Sequence, residues 1–395
     1  MSKHKRPVPR KPSAAAEAEP EVLAQALADL ALAVAEQEEG AGTPELREQE
    51  DRLLKLVRNA LRKQNDELLY EAIECARDTD AGAYQYLRSQ VEEAAATVVL
   101  RRAGAADMEI NAFAVPMFVR STGGLKEDEC FQDPDAFEEL VDSFRVAQLE
   151  SRQAKVVLIR HAYDLDEIDG IGYSRLHDMV REAAASMTEK KKLVAAPAIE
   201  GSMAGWSASV FEVDDQAVEL RFLLGFALKR ADDPFYREPA DEEAADAWFE
   251  ARMERFRQWT LVAAPLVQGC LAMNPGALEV DFLYQDLFYG AKEQGMAELA
   301  MLRMMSAIAQ ALERADAAPG QVKAVIAPAE VDGQMALRVN LYGADGAQLA
   351  AADKPLDLAG DLDTEVEDIR DALRTLGIEA VELAPPSVLN YRFVE

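Results

Sequence analysis

Two short clusters hold the residue types that could do chemistry. Arg120-Ser121-Thr122-Gly123-Gly124 sets a guanidinium, two hydroxyls and two glycines in succession. At a strand end such a run can turn its amides toward an anion, with the arginine beside them. Arg160-His161-Ala162-Tyr163-Asp164 is the second, followed closely by Asp166, Glu167 and Asp169. An imidazole among carboxylates can act as an oriented base or contribute to a cation site. Arg120, Ser121, Thr122, Arg160, His161 and Tyr163 are therefore the candidate ligand-binding residues. They make one site only if the fold brings both segments around a concave pocket. An ordinary turn and a solvated acidic loop are the competing readings of the same residues.

Other chemistries find little support, and no catalytic residue is assigned. There is no GxxxxGK[ST] loop, and Gly170-Ile171-Gly172 lacks the third glycine of a dinucleotide loop. Histidine occurs only at positions 4, 161 and 177, which leaves few routes to acid-base or hydrolytic metal chemistry. No GxSxG elbow is present. Cys130 lies in Asp128-Glu129-Cys130, where flanking carboxylates disfavour a thiolate, and Cys270 follows an apolar run as a core residue would. The three cysteines, with Cys75, lack metal-ligand or disulfide spacing, so neither a metal nor a cofactor is expected. Lys190-Lys191-Lys192 follows a helical stretch and suits the negative end of its dipole.

The charge balance bounds the partners. Seventy-two acidic residues against forty-two basic ones give a formal charge of −30 in 395 residues. A body this negative repels phosphate backbones and anionic headgroups within about 8 Å at physiological salt. Nucleic acid is expected, if at all, only through the basic arm from Lys3 to Lys11. No apolar run is long enough to span a bilayer, so no membrane partner and a cytoplasmic location are expected.

The fold class read from the pattern is α+β: an N-terminal helical bundle, a mixed α/β region and an antiparallel C-terminal subdomain. Residues 1–19 form a disordered basic arm and 20–104 a helical domain. In the latter, Leu23, Leu27, Leu30 and Val34 make one stripe, and Thr43-Pro44-Glu45 starts a new helix. Residues 105–315 alternate strands and helices. Strands are expected at Ile110–Arg120, Lys155–Ala162, Ala208–Val213, Val218–Lys229, Thr260–Val267 and Ala277–Tyr284, and helices from about Ala240 and over Met296–Leu312. Two stretches, 105–190 and 215–315, share the order strand, helix, strand, helix. Duplication of one βαβα unit and chance similarity both account for this. Residues 316–395 read as an antiparallel meander, a helix capped by Asp363 and ended by Gly377, and a closing strand.

The segments LADLALAVAEQEEGAG, LLKLVRNALRKQNDELLYEAIECARDTDAGAYQYL, INAFAVPMFVRSTGG, VQGCLAM and DIRDALRTLGIEAV resemble, in order and spacing, the bacterial family called domain of unknown function twenty-eight sixty-three. The likeness covers most of residues 25–385. It implies a shared layout and carries no activity, cofactor or site residue. The functional expectation from sequence is thus a non-enzymatic interaction or regulatory protein presenting an acidic face to a basic protein partner. The alternative is an enzyme or small-ligand sensor with a strand-end pocket at Arg120–Thr122 and Arg160–Tyr163.

Overall fold

The structure, a computed structural model, describes residues 20–35, 43–101, 104, 106–121, 131, 133–189, 211–213, 216–271, 275–331, 333–356 and 362–384. The basic arm, Thr122, Cys130, Lys190-Lys191-Lys192 and residues 385–395 lie outside the described residues. Contacts divide the chain into two units, one ending at Val91 and one starting at Glu92.

In the first unit α1 (Pro20–Ala35) packs on α2 (Pro44–Arg62) and α3 (Asp66–Thr79). Thr43 Oγ1 accepts the Leu46 N–H at 3.2 Å, and Pro44 opens α2 as expected from the sequence. The buried stripe of α1 is Ala24, Leu27, Ala28, Ala31 and Val34, whereas Leu23 and Leu30 are only half-buried. Alanines take the inner positions because short side chains let helix axes approach closely. Asp80 accepts the Ala83 N–H at 2.8 Å and so starts α4 (Ala81–Ala96). The helical reading fails just beyond: Thr97–Leu100 is strand β1, where β-branched Thr97, Val98 and Val99 favour the extended chain.

The second unit is built on the pair β2 (Met108–Ser121) and β5 (Gln216–Arg230), antiparallel from Met108 opposite Arg230 to Ser121 opposite Ala217. Between them in sequence come α5 (Pro134–Val146), β3 (Lys155–Tyr163), the short α6 (Leu165–Asp169), α7 (Tyr173–Glu189) and β4 (Phe211–Val213). After β5 come α8 (Glu242–Leu271), β6 (Leu278–Phe282), β7 (Asp286–Leu287) and α9 (Phe288–Arg314). The order strand, helix, strand, helix thus occurs twice. Each run lends its second strand to the other: β3 pairs with β5, and β6 pairs with β2. Phe113, Val115, Met117 and Val119 face α5 and α8, while Ile110, Ala112, Ala114 and Phe118 face α7 and α9. Burial on both faces explains why β2 reads as one continuous apolar run.

One predicted strand is overturned. Thr260–Val267 is helical, inside α8. Trp259, Ala263, Val267 and Cys270 are buried at helical spacing, whereas Leu261 and Val262 point outward, 71% and 51% exposed. A short apolar run does not by periodicity alone separate strand from buried helix.

The remaining chain adds β8 (Lys323–Val331), β9 (Gln334–Tyr342), β10 (Gln348–Pro355), α10 (Leu362–Thr375) and β11 (Ala380–Leu383), with sheet order β10-β9-β8-β11. Ile326, Leu337, Val339 and Leu341 pack on Met304 and Ile308 of α9 and on Ile369 and Leu373 of α10. This sheet is not wholly antiparallel, because β11 runs parallel to β8 after the α10 crossover. Gly377, at φ +81°, ends α10 with its N–H bonded to the Arg374 carbonyl, as its type predicts. Asp363 lies in the first turn instead of capping from outside.

Candidate functional site

The six residues singled out by sequence do not meet in one pocket. Arg120 stands opposite Val218 on β5, and its guanidinium pairs with Asp281 of β6 at 3.0 Å. Ser121, next along, points to the opposite face and donates to the Ala277 carbonyl at 3.0 Å. Tyr163 stands on the far side of β5, opposite Phe222, four positions along from Val218. Arg160 lies over the Phe137 ring at 4.6 Å, on the α5 side. His161 and Tyr163 stack edge to face at 4.6 Å on the α7 side. Among the described residues, then, only His161 and Tyr163 come together.

What gathers around His161 is a helix start. Asp164 Oδ1 accepts the Glu167 N–H at 2.8 Å, and Glu167 Oε2 accepts the Asp164 N–H at 2.9 Å, a capping box for α6. His161 Nε2 lies 2.9 Å from the same Glu167 oxygen. Burial alone would raise the Glu167 carboxyl, but the hydrogen bonds from His161 and the Asp164 N–H outweigh it and hold the group below the usual carboxylate range. A depressed folded pKa stabilises above the ordinary value near 4.3, and the contribution is lost as pH falls through the lowered one. Glu167→Gln should therefore cost about 1 kcal/mol at pH 7 and almost nothing near pH 2, read by denaturant unfolding at both. A cost that does not change with pH would remove the ionised carboxylate from the account.

A different constellation occupies the matching place in the second run. Pro116 presents a carbonyl but no N–H to the β6–β7 edge, and the Leu283 N–H bonds that carbonyl at 2.8 Å. The edge is broken there: β6 ends at Phe282 and β7 begins at Asp286. Tyr284 and Gln285, in the gap, turn toward α8. They meet Arg252 and Arg255, one turn apart, with Phe256 beside them and Gln148 and Leu149 from the end of α5. These residues enclose a cavity of about 10 Å³, room for roughly one water-sized group.

The arginines are the unusual part. Arg252 Nε donates to the Tyr284 hydroxyl at 3.2 Å, and its guanidinium lies 4.8 Å from the Trp248 ring centre and 5.3 Å from that of Phe235. Arg255 lies 5.6 Å from the same Phe235 ring. Arg252 Nη1 and Arg255 Nε are buried with no hydrogen-bond partner. Among the described residues neither guanidinium has a carboxylate in ion-pair range, although the chain carries thirty net negative charges. Burial, and then the neighbouring Arg252 charge, push the Arg255 guanidinium below its ordinary pKa.

A second layer holds the wall in place. Gln285 Nε2 donates to Glu150 Oε1 at 2.8 Å, and the Tyr236 hydroxyl donates to Glu150 Oε2 at 2.5 Å. Lys229 sits over the Tyr236 ring at 3.8 Å. Burial raises the Glu150 carboxyl above its usual range, and the hydrogen bonds from Tyr236 and Gln285 work against that shift. Sequence reasoning missed this site. Arg252-Met253-Glu254-Arg255 looks like part of a solvated helix face, and only the aromatic residues Trp248, Phe249, Phe256 and Trp259 around it hint that the arginines are partly covered.

Among the described residues no group of three or more His, Cys, Asp or Glu side chains is placed to hold a metal ion, and no helix is long and apolar enough to cross a membrane. No family model matches the chain, and no curated protein or solved structure matches it.

Proposed function

We propose that the second unit is a non-enzymatic binding module that retains a small anion on Arg252 and Arg255. One observation carries the reading: two like-charged side chains line one small cavity, each with a buried N–H that lacks a partner. Folded chains rarely leave such groups unsatisfied. A lone water would satisfy an N–H but leave the two positive charges facing each other; an anion answers both needs. The lining groups are guanidinium, carboxamide and phenol, which bind and orient anions and include no general base suited to neutral pH. The two histidines in the described region are engaged elsewhere, His161 with Glu167 and His177 Nδ1 with the Ala94 carbonyl at 3.1 Å.

A residue kept for binding is expected to cost stability when its ligand is absent. In anion-poor buffer Arg255→Met should leave the full chain more stable by about 1 kcal/mol, since it removes a desolvated, unpaired cation. Added at constant ionic strength, acetate, phosphate or sulfate should raise the wild-type melting temperature saturably and leave the Arg252→Met/Arg255→Met variant unmoved. Equal response of both proteins to every anion would contradict the proposal.

A further inference from the structure

We infer that the anion held by Arg252 and Arg255 is a monocarboxylate and not a phosphate or sulfate, an inference that rests on the anion-binding reading above. Ring stacking limits where the arginines can bind. With Trp248 and Phe235 lying against the Arg252 guanidinium and Phe235 against that of Arg255, the remaining N–H groups point along the guanidinium edges. Edge-on donors suit the flat, two-oxygen face of a carboxylate.

Donor supply limits the ligand further. Arg252 Nη1 and Arg255 Nε lack partners, and the Tyr284 hydroxyl accepts from Arg252 Nε, so its own proton can point to a ligand. The Gln285 amide nitrogen is already turned to Glu150. Three donors match two carboxylate oxygens. A tetrahedral oxyanion would bring three or four oxygens into a cavity of about 10 Å³ and leave some of them dry. Charge points the same way. The buried Glu150 carboxylate stands behind Gln285, in a chain of net charge −30, so a second negative charge on the ligand meets repulsion from both.

The test is ligand-observed NMR on the full chain at constant ionic strength. Wild-type protein should broaden the acetate methyl resonance, and unlabelled benzoate should displace it. The phosphorus line of inorganic phosphate should stay sharp. Tyr284→Phe, which keeps the arginines and the ring packing, should weaken acetate binding about three- to tenfold. The Arg252→Met/Arg255→Met variant should abolish it. If phosphate broadens and acetate does not, the ligand class is wrong and the anion site stands. Should neither broaden, both fall. Undiminished acetate broadening in Tyr284→Phe and in the double variant would place the binding elsewhere and overturn the inference.

Discussion

Gly225→Ala should destabilise the second unit by about 3 kcal/mol, the largest loss expected from adding one methyl group to this chain. Gly225 stands in the middle of β5, between Phe113 on β2 and Leu158 on β3. A Cβ built on it would lie 2.3 Å from Phe113 Cζ and 2.7 Å from Leu158 Cδ2. No real Cβ tolerates such distances, and both neighbours are themselves buried in the core shared by α5 and α8. The Phe113 ring lies across the glycine, filling the volume a side chain would otherwise use. Trimming that ring should therefore recover part of the loss: Gly225→Ala/Phe113→Leu is expected to be more stable than the sum of its two single changes. Denaturant unfolding monitored by near-ultraviolet circular dichroism reads both quantities. An additive pair would show that the glycine serves something other than the Phe113 contact.

The second large effect lies two strand positions from the first site considered. Glu219 and Arg221 are 0% and 1% exposed and share a 2.9 Å ion pair, with Arg221 Nη1 also donating to the Ala162 carbonyl at 3.2 Å. Both occupy the face of β5 that otherwise packs Leu223 and Ala227 against α5 and α8. Removing one partner strands a charge in the core, so Glu219→Ala should cost about 3 to 5 kcal/mol. Replacing both by apolar residues of similar volume, Glu219→Leu/Arg221→Met, should cost far less than either single change, because the desolvation penalty of the two ions disappears together. A double variant as unstable as Glu219→Ala would mean that the pair fixes the geometry of the β3 end through the Ala162 carbonyl.

Legibility in the sequence followed the strength of local signals. Caps and stops were readable: Thr43 before Pro44, the break at Asp80 and Gly377 after α10 each solve a backbone problem that residue type reveals. β2, β3, β5 and β6 were readable as apolar runs, as was the twofold order of elements. The exchange of β3 and β6 between the two runs was not, since pairing partners depend on contacts across more than a hundred residues. Thr260–Val267 was misread because its apolar run lacked polar interruptions to set a period. The candidate site was half legible: strand ends drew attention to Arg160 and His161, at one of two corresponding strand breaks. At the other break the decisive residues lie on a helix, Arg252 and Arg255, and become unusual only once Trp248, Phe235 and Tyr284 cover them.

The central claim is that the buried Arg252 and Arg255 N–H groups wait for a carboxylate. Arginine side-chain nitrogen–proton NMR spectra of the full chain, with resonances assigned through Arg252→Met and Arg255→Met, observe those groups directly. The account predicts that acetate moves the Arg255 Nε–H signal downfield and saturably, as a new charge-assisted hydrogen bond requires. Signals of Arg255 and Arg252 that stay in place through a full acetate titration would contradict it.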